Sequence, residues 1–322
     1  MHVWNDFIRQ ANQWGQAKVP FFFLIDFEKQ KPILFQLSEV DPDQILFDFK
    51  GTSNSSAGHP KPLNLTVIPR SLEEYRNRFD RVKSHVSYGD SFLTNLTVQT
   101  PVYSDVSLLS LYHSAKAKYK LLLKNNFVCF SPETFVRIVD NKIFSYPMKG
   151  TIDASVDGAA EIILNDPKEK AEHITIVDLI RNDLSKVATN VEVTRFRYLD
   201  KIISPQRSLW QVSSEVTGKL SQDYTGHLGD ILDQLLPAGS VSGAPKDKTL
   251  EIIREAEGEP RGYYTGVSGI FDGHNLDSAV MIRFMEQRNG QLYYRTGGGI
   301  TSQSICELEY QETLDKIYVP LD

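Results

Sequence analysis

The apolar positions change period along the chain, and each change predicts a different element. Tyr75, Phe79, Val82 and Val86 recur at helical spacing behind Ser71-Leu-Glu-Glu74, the spacing of a capping box, which predicts a helix running to about Val86. From Phe127 the pattern turns β-rich, with Phe127–Phe130 and Phe135–Val139 as short runs; Asp140-Asn141 then supplies turn chemistry before Lys142–Met148, an antiparallel pair. Near the other end, Gly266–Phe271, Asp277–Glu286 and Gln291–Thr296 are separated by Asp272-Gly-His-Asn275 and Arg288-Asn-Gly290, a meander of strands. Between these groups, Lys168–Val187 reads as a helix with Asp166 as N-cap, Pro167 at the first helical position and Glu169 in the first turn. Pro245–Ala256 and Ile305–Tyr318 are further helices, and Gly51–Pro60 is a loop. Strands at both ends with helices between lack the regular alternation of a parallel sheet, so the pattern predicts an α+β fold with antiparallel sheets.

Composition narrows this without changing it. The 322 residues are 41% apolar and 24% charged, a globular balance, and a chain of this size buries about 75% of its unfolded surface. With 35 Lys+Arg against 41 Asp+Glu the formal charge is −6, which disfavours a nucleic-acid partner. The most apolar early run, Phe21 to Phe27, is interrupted by Asp26 and is far below the roughly 20 residues that cross a bilayer. The first residues lack the basic and apolar segments of a secretory signal, and Cys129 and Cys306 match neither a zinc site nor a disulfide framework, so a soluble chain in a reducing cytoplasm is expected. No Pro/Gly/Ser linker lies near the midpoint, and a single domain over residues 1–322 is expected, with 1–70 as a reduced N-terminal region.

Several side chains have the chemistry of a site, and each also has a plainer reading. Glu169 with Glu172, and Glu309 with Glu312, are helical neighbours three residues apart. Four such carboxylates suit a hard cation such as Mg²⁺, whereas glutamates at this spacing also form ordinary solvated helix faces. Gly297-Gly-Gly299 follows a strand and either offers backbone amides to an anion or is a plain turn. Strand alternation sets Arg283 on the face opposite Val280, Ile282 and Phe284, where it clamps a carboxylate or faces solvent. Lys149, directly after a strand in Pro147-Met-Lys-Gly-Thr151, becomes a nucleophile if partial burial lowers its pKa and is otherwise an exposed turn lysine. Glu133, at the start of the paired strand, is a proton donor held near Lys149 or a turn residue. Asp178, Arg181, Asn182 and Asp183 read as helix-face hydrogen bonding.

Taken in order, these stretches resemble the chorismate-utilising enzymes, the group containing anthranilate, aminodeoxychorismate, isochorismate and salicylate synthases. The resemblance runs from about Ser71 to the C-terminus. It is carried by Gly89-Asp-Ser-Phe with Asn95-Leu, Ser131-Pro-Glu133, Pro147-Met-Lys-Gly-Thr151, Lys168-Glu-Lys-Ala-Glu-His173 running into Asp178-Leu-Ile-Arg-Asn-Asp-Leu184, Gly239-Ser-Val-Ser-Gly-Ala-Pro-Lys246, Arg261-Gly-Tyr-Tyr-Thr-Gly266, Gly297-Gly-Gly-Ile300 and Glu309-Tyr-Gln-Glu-Thr313. It implies an anthranilate synthase component I-like fold, in which two antiparallel sheets enclose the core and the cleft with helices outside.

Residue by residue, the resemblance implies Glu172 and Glu312 as Mg²⁺ ligands, with Glu169 and Glu309 acting directly or through metal-bound water. It implies Tyr264 and Arg283 on the substrate's side-chain carboxylate, Gly297, Gly298 and Gly299 on its ring carboxylate, and Thr151 and Ser240 among the substrate contacts. Lys149 stands where aminodeoxychorismate synthases have a lysine thought to add at C2 of chorismate, and where anthranilate synthases generally have alanine; Glu133 would then protonate the departing C4 hydroxyl. Leu93 occupies the place of the lysine that activates water in isochorismate and salicylate synthases, and leucine cannot accept a proton. Gln211 falls where most relatives have a histidine. The expected activity is therefore amination of chorismate toward 4-aminobenzoate and folate, with ammonia from a separate glutamine amidotransferase, since no Cys-His-Glu set for that chemistry is visible. Anthranilate synthase component I and a non-catalytic chorismate-binding subunit are the alternatives.

Overall fold

Phe21–Ile25 is apolar at every position because both faces of the strand are covered. Phe21, Phe23 and Ile25 pack with Phe7, Ala11, Leu228 and Leu232, side chains of the helices His2–Gln16 and Leu228–Leu235. Phe22 and Leu24 point the other way, against Phe47, Tyr119 and Phe127 of a second sheet. The computed structural model describes residues 2–56, 63–203 and 208–321, so residues 57–60 of the predicted loop lie outside them.

Among the described residues there are two sheets of nine strands, antiparallel throughout, as expected. In the first, Thr189–Ile203 pairs with Ser208–Lys219, whose other side takes both Met148–Asp153 and Lys142–Ser145. Thr134–Val139, Leu276–Val280, Val267–Phe271, Phe21–Ile25 and Ile33–Gln36 follow. In the second, Leu93–Ser104 pairs with Gln291–Ile300, and Phe284–Arg288, Phe127–Ser131, Tyr119–Leu123 and Ile45–Phe49 continue the order. The strands of residues 1–70 enter both sheets. Aromatic contact joins the layers, with Phe22 stacked on Phe47 at 5.5 Å.

The expected antiparallel pair forms between Thr134–Val139 and Lys142–Ser145, and one expectation about strands is corrected. Phe127–Ser131 lies in the second sheet and Thr134–Val139 in the first, because Pro132 has no N–H to extend a ladder and the chain crosses between layers at Pro132-Glu133. The expected strand 277–286 is likewise two strands, one in each sheet. Between them Met281 exchanges hydrogen bonds of 2.8 Å with Gly266 and Thr265, and Arg283 adopts φ +54, a left-handed conformation that ends extended pairing. The face assigned to Arg283 by alternation therefore does not exist. The two crossings lie together: the Val280 N–H donates to the Glu133 carbonyl at 3.2 Å and the Phe130 N–H to the Arg283 carbonyl at 3.0 Å. Glu133 and Arg283 thus meet at the seam between the sheets.

The helices form much as their caps predict. In Leu72–Tyr88 the Ser71–Glu74 capping box is made and Tyr75, Phe79, Val82 and Val86 are buried, with Gly89 at φ +97 closing the end. Pro167–Leu184 starts at Asp166 as predicted, while Cys306–Asp315 is shorter than the predicted 305–318. Among the described residues no helix is long and apolar enough to cross a membrane.

Candidate active site

Lys149 lies within Met148–Asp153, not after a strand as expected, and a break in pairing aims it. The register with Ser208–Lys219 shifts between Met148 and Thr151, and Gly150 takes φ +80, a conformation open to glycine; such bulges re-aim side chains. A Cβ on Gly150 would also stand 2.6 Å from Glu169 Oε2. The Lys149 Nζ donates to Glu172 Oε2 at 3.1 Å, and the side chain is 26% exposed. Burial works to lower its pKa, as anticipated. The charge and hydrogen bond of Glu172, with the charges of Glu312 and Glu169, outweigh burial and hold the amine above the ordinary lysine range, which corrects the expectation of a lowered pKa.

Those carboxylates come from the two expected helices, Pro167–Leu184 and Cys306–Asp315. Glu172 lies 3.9 Å from Lys168, and Glu312 is paired with Lys316 at 2.6 Å. Burial and then the charge of Glu172 push Glu169 up; burial is the main cause for Glu309, with Glu312 adding to it. For Glu312 burial is outweighed by Lys316, and its pKa falls. Among the described residues no three acidic, histidine or cysteine side chains stand as a ready-made metal centre. The four glutamates are two crowded pairs, of which Glu169, Glu172 and Glu312 share Lys149 as a neighbour, and their oxygen-only chemistry and mutual repulsion suit a divalent cation.

Gly297, Gly298 and Gly299 belong to the strand Gln291–Ile300, opposite Thr97, Leu96 and Asn95, and none has positive φ, so they form neither a turn nor an amide nest. Their use is space. A Cβ on Gly298 would face Glu309 Oε2 at 3.5 Å, and one on Gly299 would lie 2.8 Å from Leu93 Cδ1 and 3.4 Å from Lys149 Nζ.

On the other side of Lys149, Glu133 accepts a hydrogen bond from the Ser240 hydroxyl. Burial raises its pKa, against the Ser240 bond and the charges of Arg283, Lys149 and Lys118. The Arg283 guanidinium lies 5.2 Å from the Tyr318 ring, and its Nε is buried without a hydrogen-bond partner. Tyr264 is buried, with its phenol pushed up to about 12 by burial despite Arg261, Arg295 and Arg283 nearby. Thr151 is exposed, opposite Gln211 in register. In the polar helix stripe Arg181 and Asn182 contact Asp178 as expected, while Asp183 is buried between Lys186 and Lys246, each at 2.9 Å.

The amine of Lys149, the buried acid Glu133, the glutamate pairs and Arg283, whose Nε has no hydrogen-bond partner, thus lie close enough to act on one another. The description "chorismate binding enzyme" matches residues 9–322. The chain belongs to this family. An "uncharacterized PabA-like protein" of Haemophilus influenzae is 49% identical over 317 residues, covering 98% of this chain and 97% of its own. Aminodeoxychorismate synthase component 1 of Escherichia coli is 33% identical over 261 residues, 76% of this chain and 56% of that protein. Among solved structures, anthranilate synthase component I from Streptococcus pneumoniae superposes with a TM-score of 0.68 at 29% identity, over 80% of this chain and 59% of that one. The protein is thus a chorismate-utilising enzyme with the anthranilate synthase component I fold.

Reading the sequence of this chorismate-binding enzyme missed Lys316, which bridges Glu312 and the Gly297 carbonyl, the latter at 2.9 Å. Its i,i+4 spacing from Glu312 was the available signal. It also missed His173, fully buried with Nε2 at 2.7 Å from Ser214 Oγ and lowered to about 4, chiefly by burial.

Proposed function

We propose that this enzyme is the ammonia-using component of an aminodeoxychorismate synthase, a cytoplasmic transferase that turns chorismate and ammonia into 4-amino-4-deoxychorismate and water for 4-aminobenzoate and folate synthesis. A separate glutamine amidotransferase subunit supplies the ammonia. The observation that carries this reading is the Lys149 amine, enclosed in the cleft 3.1 Å from Glu172. Lys149 yields its proton along that hydrogen bond, and the amine bonds to C2 of the ring while the C4–O bond breaks. Glu133, whose burial favours its protonated form, gives its proton to the departing oxygen, which leaves as water. Ammonia then bonds to C4 as the C2–N bond to Lys149 breaks, the proton shed by the incoming nitrogen is regained by the lysine, and Glu172 releases its proton to solvent while Glu133 takes one up, which restores both carboxyls. Arg283, with its buried unpartnered Nε, and Tyr264 hold the side-chain carboxylate, while Gly297 to Gly299 leave room for the ring carboxylate. Glu169, Glu172, Glu309 and Glu312 would hold Mg²⁺, which supplies positive charge for that carboxylate.

Incubation with chorismate, Mg²⁺ and ammonium tests the reading. The expected product is 4-amino-4-deoxychorismate, and fluorescent anthranilate with pyruvate would instead assign anthranilate synthase chemistry. Lys149→Ala is expected to abolish amination, and intact-mass measurement on wild type with chorismate alone should find a substrate-derived adduct absent from that variant.

A further inference from the structure

The buried face of the helix Cys306–Asp315 is made of Cys306, Glu309 and Thr313, and Tyr75 packs along it. Tyr75 lies in the first turn of Leu72–Tyr88 and is 2% exposed. It belongs to the apolar cluster that holds Cys306, stands 5.6 Å from the Tyr310 ring and lines a small void with Thr313. Residues three and four apart share a helix face, so neighbours at 306, 310 and 313 set Tyr75 alongside Glu309.

The Tyr75 hydroxyl is buried and has no hydrogen-bond partner. The other hydroxyls around it are committed: that of Tyr310 donates to the Arg70 carbonyl at 2.6 Å and that of Thr313 to the Tyr310 carbonyl at 2.7 Å. The void is about 10 Å³, at the bottom of the range that admits one water. Among charged groups, Glu309 bears on the phenol most strongly, and burial together with that charge keeps the O–H protonated, a standing donor. A buried hydroxyl without a partner is destabilising where phenylalanine would not be, so the fold alone gives this oxygen no use.

Glu309 has a use for it. Its carboxylate takes one hydrogen bond from the Ser304 side chain, and Gly298 leaves its Oε2 uncovered on the strand side, 3.5 Å from where a Cβ would sit. A carboxylate that holds a cation is oriented by donors outside the ligand shell, and loss of such a donor weakens metal binding roughly 10- to 100-fold. We propose that Tyr75 is a positioning residue for the divalent cation, its hydroxyl donating to Glu309 when that carboxylate turns to the ion and sharing with Ser304 the task of orienting it. This inference rests on the four-glutamate reading of the metal site above.

The test measures metal binding without turnover, by counting free Mn²⁺ from its electron paramagnetic resonance as the enzyme is titrated with chorismate present and ammonium absent. Tyr75→Phe is expected to weaken Mn²⁺ binding about tenfold, while its melting temperature without metal stays level or rises. In a Glu309→Gln background the same substitution is expected to change Mn²⁺ affinity by less than about twofold, because the hydroxyl acts through that carboxylate. Tyr75→Phe that binds Mn²⁺ as tightly as wild type overturns the positioning role. So does a loss of affinity that is equal in the two backgrounds, which marks a packing effect whatever the melt shows. Wild type that binds no Mn²⁺ overturns the metal reading itself, a result separate from these.

Discussion

Glu133 is useful as an acid only while it keeps its proton, and its surroundings are balanced on that point. Burial raises its pKa, and the Ser240 hydroxyl, by donating to the carboxylate, pulls it back. The rate should therefore fall as pH rises through the Glu133 pKa. Ser240→Ala removes the bond that favours the ionised form, so the alkaline limb of the kcat profile should move to higher pH; a limb that stays put would remove Glu133 from the acid role. Glu133→Gln should lower kcat by about 10²–10⁴ with little change in KM for chorismate, the usual size of a lost general acid. The types and order of these residues were legible in the sequence. Their ionisation was not, because Lys149 takes its charge state from Glu172, Glu312 and Glu169, carried on two helices remote in sequence.

At the scale of elements, local signals were readable wherever the chain satisfies its own backbone. Asp166 accepts the Glu169 N–H at 2.8 Å, and that one contact both starts Pro167–Leu184 and fixes the turn bearing Glu169. Asp166→Ala should cost about 1 kcal/mol of stability through the lost cap. It should also raise the Mg²⁺ concentration needed for half-maximal activity, since the turn holding a proposed ligand frays. A Mg²⁺ titration beside a thermal melt checks both, and an unchanged Mg²⁺ requirement in a destabilised variant would take Glu169 out of the metal site. The strand expected over 277–286 was not readable in the same way. Its break depends on the Met281 N–H donating to the Gly266 carbonyl and the Met281 carbonyl accepting the Thr265 N–H, and an alternating pattern continues through such a crossing without a mark.

At the scale of the molecule, the sequence reading set residues 1–70 apart from the core, whereas Phe21–Ile25 is built into the first sheet, between Val267–Phe271 and the edge strand Ile33–Gln36. A run apolar on both faces has no period from which to read its place. What holds the layers to the site is a buried pair. Arg261 and Glu257, 1% and 4% exposed, are joined by two hydrogen bonds of 2.9 and 2.7 Å. Arg261 also donates to the carbonyls of Val241 and Asn95, each at 2.7 Å, and Glu257 accepts the Thr97 N–H at 2.8 Å. The pair thus ties Lys246–Glu257 to the turn carrying Ser240 and to the strand opposite Gly297–Gly299. Glu257→Ala strands a buried guanidinium and should cost about 3–5 kcal/mol in urea unfolding. Combining Arg261→Met with Glu257→Leu removes both charges and should restore part of that stability, but it leaves the Val241 and Asn95 carbonyls without their donor. If the pair positions the site, kcat/KM in the double variant stays low while stability recovers; if both recover together, its role ends with the fold.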